Sequence, residues 1–92
     1  MFDKAKDMFR LQREAKRVKK ELKNIHVEAE SSGVSVVVSA EMEVISISIE
    51  PDVPREKIAD FLKDALNRAF KKAQIVSAEK MKGVMNEMGM GA

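Results

Sequence analysis

Apolar residues follow a heptad pattern along the first quarter of the chain. They recur at alternating spacings of three and four residues: Met8, Leu11, Ala15, Val18, Leu22 and Ile25. This is the a/d pattern of a coiled-coil seam, in which each apolar residue packs against a neighbouring helix. The pattern predicts a helix over residues 3–24, with Asp3 as its N-cap. It also predicts that another helix covers the apolar seam.

Between residues 25 and 50 the apolar pattern changes to a period of two. Three short runs each alternate apolar and polar residues, which predicts three strands with one apolar face each. Residues 31–33 and 40–43 supply the turns, so an antiparallel meander covered by a helix is expected. The second run, GVSVVVSA, is apolar on nearly both faces. As an exposed edge it would aggregate, and a paired edge in a dimer is the simplest protection.

A long second helix is predicted after Pro51 and Pro54, because no proline or glycine follows until Gly83. At about 1.5 Å per residue, this helix over residues 54–88 would be about 50 Å long. A compact domain of this size has a radius of gyration of about 12 Å, so part of the helix must extend beyond the domain. Its apolar face recurs at helical spacing: Ile58, Leu62, Ala65, Ala69, Ala73 and Val76.

These elements predict an α+β fold with a single domain over residues 1–92. The expected order is a basic helix in residues 1–24, a three-stranded sheet in residues 25–50 and the long helix in residues 54–88. Residues 89–92 should form a frayed tail. The methionines at positions 81, 85 and 88 keep the helical spacing, and plain helix packing is favoured over a pliable binding surface.

Composition narrows the functional classes. The chain has 92 residues, no cysteine and four phenylalanines as its only aromatic residues. Disulfides and thiol chemistry are therefore excluded. No apolar run approaches the about 20 residues of a membrane span, and the N-terminus is too charged for a signal peptide, so we expect a cytoplasmic protein without membrane contact.

The charges are unevenly distributed along the chain. Its net charge is only +2, but residues 1–24 carry +5, residues 25–53 carry −6 and residues 54–92 carry +3. Two basic arms thus flank an acidic middle, which indicates that the arms meet a polyanion and the middle does not. The alternative is a chance segregation of charge on solvated faces.

The basic residues of the first helix lie opposite its apolar seam. Five of them are spaced by three and four residues, and two more lie beside this stripe: Lys6, Arg10, Arg13, Arg17 and Lys20, with Lys16 and Lys23. The stripe itself contains no acidic residue, unlike most solvated helix faces. We expect these seven residues to form a face that binds a polyanion, although a plain solvated face stays an alternative.

An enzyme is not expected from these residues. His26 is the only histidine, and no phosphate-binding loop or metal-ligand spacing accompanies it. Acid pairs such as Glu28 and Glu30 are as common on solvated strands as in catalytic sites. We therefore expect no catalytic residue, no metal and no cofactor.

Several short segments occur in an order and spacing that are specific together: Ser32-Gly33-Val34, Ile49-Glu50-Pro51, Ala65-Leu66-Asn67-Arg68-Ala69 and Glu79-Lys80-Met81. With the charged first helix, they make most of the chain resemble the YbaB/EbfC family of small bacterial nucleoid-associated DNA-binding proteins. The resemblance implies a homodimer whose sheets join and whose helices project like tweezers. It also implies DNA binding in the cytoplasm and nucleoid, with roles in nucleoid organisation and gene regulation. The third strand has serines where relatives often carry basic residues, which leaves more of the DNA contact to the helices.

Three functional hypotheses follow. The favoured one is a homodimer that grips duplex DNA through its basic helical arms, with little sequence specificity because no recognised DNA-reading motif is present. All four phenylalanines are assigned to packing or terminal positions, so no platform for single strands is expected. The alternative is a prefoldin-like coiled-coil scaffold or holdase that does not bind DNA. A membrane-surface helix is a third class, but the first helix lacks the bulky apolar face that it needs.

Overall fold

A computed structural model describes the backbone of residues 2–87 and the side chains of residues 8–83. It contains α1 (Phe2–Asn24), β1 (His26–Ser31), β2 (Val34–Ser39), β3 (Val44–Ile49) and α2 (Ile58–Glu87). The predicted α+β fold and the order of its elements are confirmed. The predictions for Met88 and residues 89–92 lie outside the described residues, as does the side chain of Met85.

The three strands form an antiparallel meander in the order β1-β2-β3. Ala29 of β1, Val36 of β2 and Ile47 of β3 lie side by side across the sheet, so the apolar residues of the three strands share one face. The apolar strand β2 lies in the middle and is paired on both sides. It therefore needs no partner chain, and within the described sheet the edges are β1 and β3.

Two turns connect the strands. Ser32 and Gly33, which join β1 to β2, have φ angles of 48° and 91°, as the type I′ turn of a two-residue hairpin requires. Between β2 and β3, the Ser39 hydroxyl accepts hydrogen bonds from the backbone N–H groups of Glu41 and Glu43 at 3.2 and 3.3 Å. These polar contacts hold the second turn without an Asn-Gly pair.

Replacing Gly33 by alanine is expected to destabilise the fold by about 1–3 kcal/mol. A β-carbon at this positive φ would lie only 2.9 Å from Cγ2 of Val53. Gly83 is the matched control because it lies in α2 with no atom within 4 Å of an added β-carbon. Gly83→Ala should instead stabilise the protein by up to about 1 kcal/mol. Urea unfolding of the two variants would measure both effects, and equal stabilities would contradict this account of the turn.

The core lies between the sheet and α2. Ala65, Ala69 and Ala73 of α2 are fully buried against Val36 and Val38 of β2. The small alanine side chains let the helix backbone approach the sheet closely, as their spacing predicted. Apolar burial of this kind is the main source of stability in a small domain.

The prediction that α2 covers the whole apolar face is wrong for β3. Its four apolar side chains are each more than two-fifths exposed: Val44 at 42%, Ile45 at 43%, Ile47 at 47% and Ile49 at 42%. A helix is about 10 Å wide and strands are about 4.8 Å apart, so a single helix shields about two strands. α2 lies over β1 and β2 and leaves β3 bare.

α1 packs against the remainder of the protein only near its C-terminal end. Val18 and Leu22 are buried with Ala40, and Glu21 of α1 forms an ion pair of 3.8 Å with Lys80 of α2. The earlier seam residues are exposed: Met8 at 63% and Leu11 at 38%, with Ala15. The described part of the chain therefore covers only half of the predicted seam.

The predicted extension of the helices beyond the domain is confirmed by the overall dimensions. The radius of gyration is 18.0 Å, and the molecule measures 64 × 22 × 14 Å along its principal axes. The start of the long helix is more irregular than predicted, because a 3-10 turn at Arg55–Lys57 follows Pro54 and α2 begins at Ile58. In the part of the chain that the structure describes, neither helix is apolar enough over a sufficient length to span a membrane.

Candidate nucleic-acid interface

The side of α1 opposite Val18 and Leu22 carries the predicted DNA-binding residues. Six of them have described side chains, and all six are exposed: Arg10, Arg13, Lys16, Arg17, Lys20 and Lys23. We call these six residues the basic face. Lys6 lies in the first turns of α1, but its side chain is outside the described residues. The helix thus presents its predicted cations to solvent while its opposite side packs on the body of the protein.

One member of the basic face is held by an acidic neighbour. The Arg17 guanidinium forms an ion pair of 2.6 Å with the carboxylate of Glu14, which lies one turn earlier. The basic stripe therefore has a carboxylate beside it, which the spacing of its basic residues did not indicate. Exposed pairs of this kind contribute only about 0–1 kcal/mol, so a phosphate could compete for Arg17. The other five cations of the basic face form no ion pair with another described side chain.

Four lysines of α1 converge on one open groove. Lys16, Lys19, Lys20 and Lys23 line a volume of about 360 Å³ beside Glu41 of the β2–β3 turn. Lys19 approaches Glu41 at 3.6 Å, yet the Lys19 side chain is 75% exposed. Four lysines and one glutamate leave this groove with a local excess of positive charge that suits a phosphate group. We call this surface the lysine groove.

Sequence reasoning missed Lys19 as a member of this surface. Its heptad position placed it beside the apolar seam, where a lysine usually pairs with a neighbouring helix. Among the described residues no helix lies at that position, and Lys19 turns toward the β2–β3 turn instead. The signal available in the sequence was helix geometry, because Lys19 lies about 100° around the helix from Lys20 and so borders the basic face.

Phe9 also lies within this basic region. It is 71% exposed and lines a shallow groove of about 210 Å³ with Gln12, Arg13 and Lys16. The prediction that all four phenylalanines pack or lie at a terminus is therefore wrong for Phe9. Phe61 and Phe70 are half-buried on α2, as that prediction had them.

The sheet and the start of α2 form an acidic hub that binds its own cations. Glu28 and Glu30 are exposed on β1, and the Lys72 ammonium donates to the Glu28 carbonyl at 3.3 Å. The Arg68 guanidinium lies 3.1 Å from the Asp64 carboxylate, which accepts a hydrogen bond of 2.8 Å from Ser31. Arg68 and Lys72 of α2 are therefore each bound to neighbours within the hub.

A second candidate surface lies where β3 meets the open flank of α2. Arg68 and Lys72 contact β1, so the opposite flank of α2 is turned toward β3. Leu62, Leu66 and Phe70 line an apolar groove of about 400 Å³ on that flank, with Ala59, Lys63 and Asn67. Together with the exposed side chains of β3, these residues make an apolar strip beside a free sheet edge. We call it the β3 strip.

Comparison with known proteins identifies a family for most of the chain. Residues 1–89 match the family model described as the YbaB/EbfC DNA-binding family. A nucleoid-associated protein of Nitrobacter hamburgensis is 36% identical over 91 residues, which cover 92% of this chain and 86% of that protein. A nucleoid-associated protein of Dictyoglomus turgidum is 35% identical over 86 residues, which cover 87% of this chain and 83% of that protein.

A solved structure supports the fold independently. The crystal structure of an uncharacterized protein from Helicobacter pylori matches with a TM-score of 0.73 and covers 91% of this chain and 90% of that one. Its sequence identity is 19%, so this likeness concerns the fold alone. The two chains therefore share the same fold.

Proposed function

Because the chain belongs to the YbaB/EbfC DNA-binding family, we propose that it is a nucleoid-associated protein that binds duplex DNA as a homodimer. This is a family of DNA-binding proteins and not a known enzyme family. The observation that carries the proposal is the basic face of α1, whose described cations are all exposed opposite the packed side of the helix.

The basic face favours binding to the phosphate backbone over reading of the bases. α1 has 23 residues and is about 35 Å long, which is close to the length of one turn of duplex DNA. Arginine and lysine side chains along it would neutralise phosphates and release condensed counterions. Such contacts fix the position of DNA and carry little sequence information. We therefore expect the phosphate contacts of α1 to contribute equally to the affinities for duplexes of different sequence.

The β3 strip supports the homodimer. An edge strand with unpaired backbone groups and a half-exposed apolar face invites pairing with another strand. A second copy can pair its own β3 in antiparallel fashion and extend the sheet to six strands, which is twice the three observed in one chain. Leu66 and Phe70 of both copies would then cover the isoleucines of β3. This arrangement buries the apolar surface that α2 leaves bare.

A dimer joined through β3 would carry two basic arms, one from each copy. α1 contacts the sheet beside Ala40 and extends away from it, so two copies hold two arms out from a shared acidic hub. The exposed carboxylates of the hub repel DNA and confine it to the arms. We propose that the protein works in the cytoplasm at the nucleoid, in nucleoid organisation and gene regulation.

The salt dependence of binding tests this proposal. Affinity for duplexes of several sequences is measured by gel shift at several salt concentrations, with a light-scattering mass on the same sample. Six phosphate contacts, one for each cation of the basic face, give a slope of log affinity against log salt of about −5.4, and contacts from both arms make it steeper. A slope near zero would rule out phosphate contact. Suppression of client aggregation at physiological salt without DNA binding would instead support the scaffold alternative.

A further inference from the structure

We infer that Phe9 is an apolar wedge that inserts between stacked base pairs of the bound duplex, an inference that rests on the proposed DNA-binding function. Phe9 precedes Val18 by nine residues, which is about 2.5 helical turns. The two side chains therefore lie on opposite sides of α1. Val18 is 1% exposed and Phe9 is 71% exposed, so Phe9 points away from the contact that fixes the helix.

Phe9 lies on the side of α1 that carries the basic face, at its N-terminal end, and not on the apolar seam. Its groove is completed by Arg13 and Lys16, which lie one and two turns further along α1, and by Gln12. Single exposed apolar residues are common on protein surfaces. The ring of Phe9, however, is exposed beside cations and contributes nothing to the packing of a single chain. Packing of α1 against α2 cannot cover it, since that contact uses the opposite side of the helix.

The surroundings of Phe9 match the needs of a wedge. Cations beside an apolar wedge can hold phosphates near the base step that the wedge enters. Arg13 and Lys16 are displaced from Phe9 by about 6 and 10 Å along the helix axis, whereas phosphates of one strand rise by about 3.4 Å per nucleotide. Both cations can therefore reach phosphates two or three nucleotides from the inserted ring.

The occupant of this groove is duplex DNA and not a single strand. Proteins that bind single strands stack successive bases on several aromatic side chains. Phe9 is the one aromatic residue among the described side chains of α1. A single inserted ring instead unstacks one base step and kinks the duplex. Flexible pyrimidine–purine steps are the easiest to kink, so Phe9 would give the protein a preference for TA and CA steps.

The test compares Phe9→Ala and Phe9→Leu with the parent protein on two duplexes. The duplexes have about three helical turns, or roughly 30 base pairs, and differ only in a central segment of TA and CA steps or of A-tract. End-to-end energy transfer measures the bend, and anisotropy measures affinity across several salt concentrations. Ile75→Ala is the matched control, because Ile75 is an apolar residue of α2 that is 56% exposed away from the basic face.

The parent protein and Ile75→Ala should bend the flexible duplex and prefer it to the A-tract duplex. Phe9→Ala should lose both the bend and the preference, with affinity for the flexible duplex reduced about 5-fold or more and the salt slope unchanged. Phe9→Leu should retain part of both, since leucine also serves as a wedge. Because Phe9 makes little contact with the fold, its variants should keep the same helicity and the same mass.

Three results would overturn the inference. If Phe9→Ala keeps the bend, the preference and the affinity of a parent protein that binds DNA with a steep salt slope, the wedge is refuted while the proposed function stands. A change of solution mass in Phe9→Ala would mean that Phe9 contacts another copy of the chain and not DNA. If the parent protein binds neither duplex at low salt, the proposed function and this inference fail together.

Discussion

Replacing Arg10, Arg13 and Arg17 together by alanine should lower the affinity for duplex DNA by about 100-fold or more at low salt. Each guanidinium can make a charge-assisted hydrogen bond to phosphate, and such bonds contribute about 1.5 kcal/mol or more each. The salt slope should become less steep by about 2.7 for each arm that contacts DNA, because three phosphates per arm are no longer neutralised. Anisotropy titrations with several duplexes at several salt concentrations would measure both quantities. The loss should be about equal for all sequences, since phosphate contacts carry no sequence information.

A matched triple variant separates the basic face from net charge. Arg55 and Lys57 lie in the 3-10 turn before α2 and Lys71 lies in its first half; all three are exposed and none belongs to α1. Their replacement by alanine removes the same charge per chain and should change the affinity only slightly. An equal loss in both triple variants would show that total charge alone governs binding. Unchanged affinity in the α1 variant would show that the basic face is only a solvated surface.

Replacing Ile47 by aspartate should convert the homodimer to a monomer, with the dimer dissociation constant raised by about 1,000-fold or more. Ile47 lies in the middle of β3 and is 47% exposed in the single chain, so the single chain can fold with a carboxylate there. In the dimer that carboxylate would be buried without a partner in both copies, at a penalty of several kcal/mol each. Light scattering over a range of concentrations would measure the change in mass. DNA binding should weaken as well, because the two arms would no longer act as one linked ligand.

Ile75→Asp is the control for this change. It makes the same substitution at an exposed apolar residue of α2 on the flank away from β3, and it should leave the dimer intact. A dimer that persists in Ile47→Asp would place the interface elsewhere on the chain. Loss of helicity in Ile47→Asp would instead show that this residue supports the single chain, contrary to its half-exposed position.

The periodicity of apolar residues was enough to predict the helices and strands of this chain. A spacing of three and four residues identified α1 and α2, and the change to a period of two identified the three strands. The spacing did not show how far each apolar face is covered, because coverage depends on where the other elements lie. Val18 and Leu22 are buried while Met8 of the same seam is exposed. β3 has the alternation of a buried strand, but α2 is too narrow to reach it.

The candidate site was predicted only in part for a related reason. The cations of α1 that lie opposite the seam could be identified from spacing, since the seam fixes which side of the helix faces water. Lys19 was missed because its heptad position suggested pairing with a neighbouring helix. The described residues place no helix there. Phe9 was assigned to packing because phenylalanine is usually buried. Its position opposite Val18 was available in the sequence and would have placed it on the basic side of the helix.

The most direct test of the account is to locate DNA relative to the arms and the hub. The chain has no cysteine, so a hydroxyl-radical cleavage reagent can be attached to a single introduced one. Gln12→Cys places the reagent on the exposed side of α1, and Ser48→Cys places it on the hub, on the face of the sheet away from α2. The account predicts strong cleavage of a bound duplex from position 12 and little or none from position 48. Strong cleavage from position 48 with none from position 12 would show that DNA lies on the hub and would contradict the account.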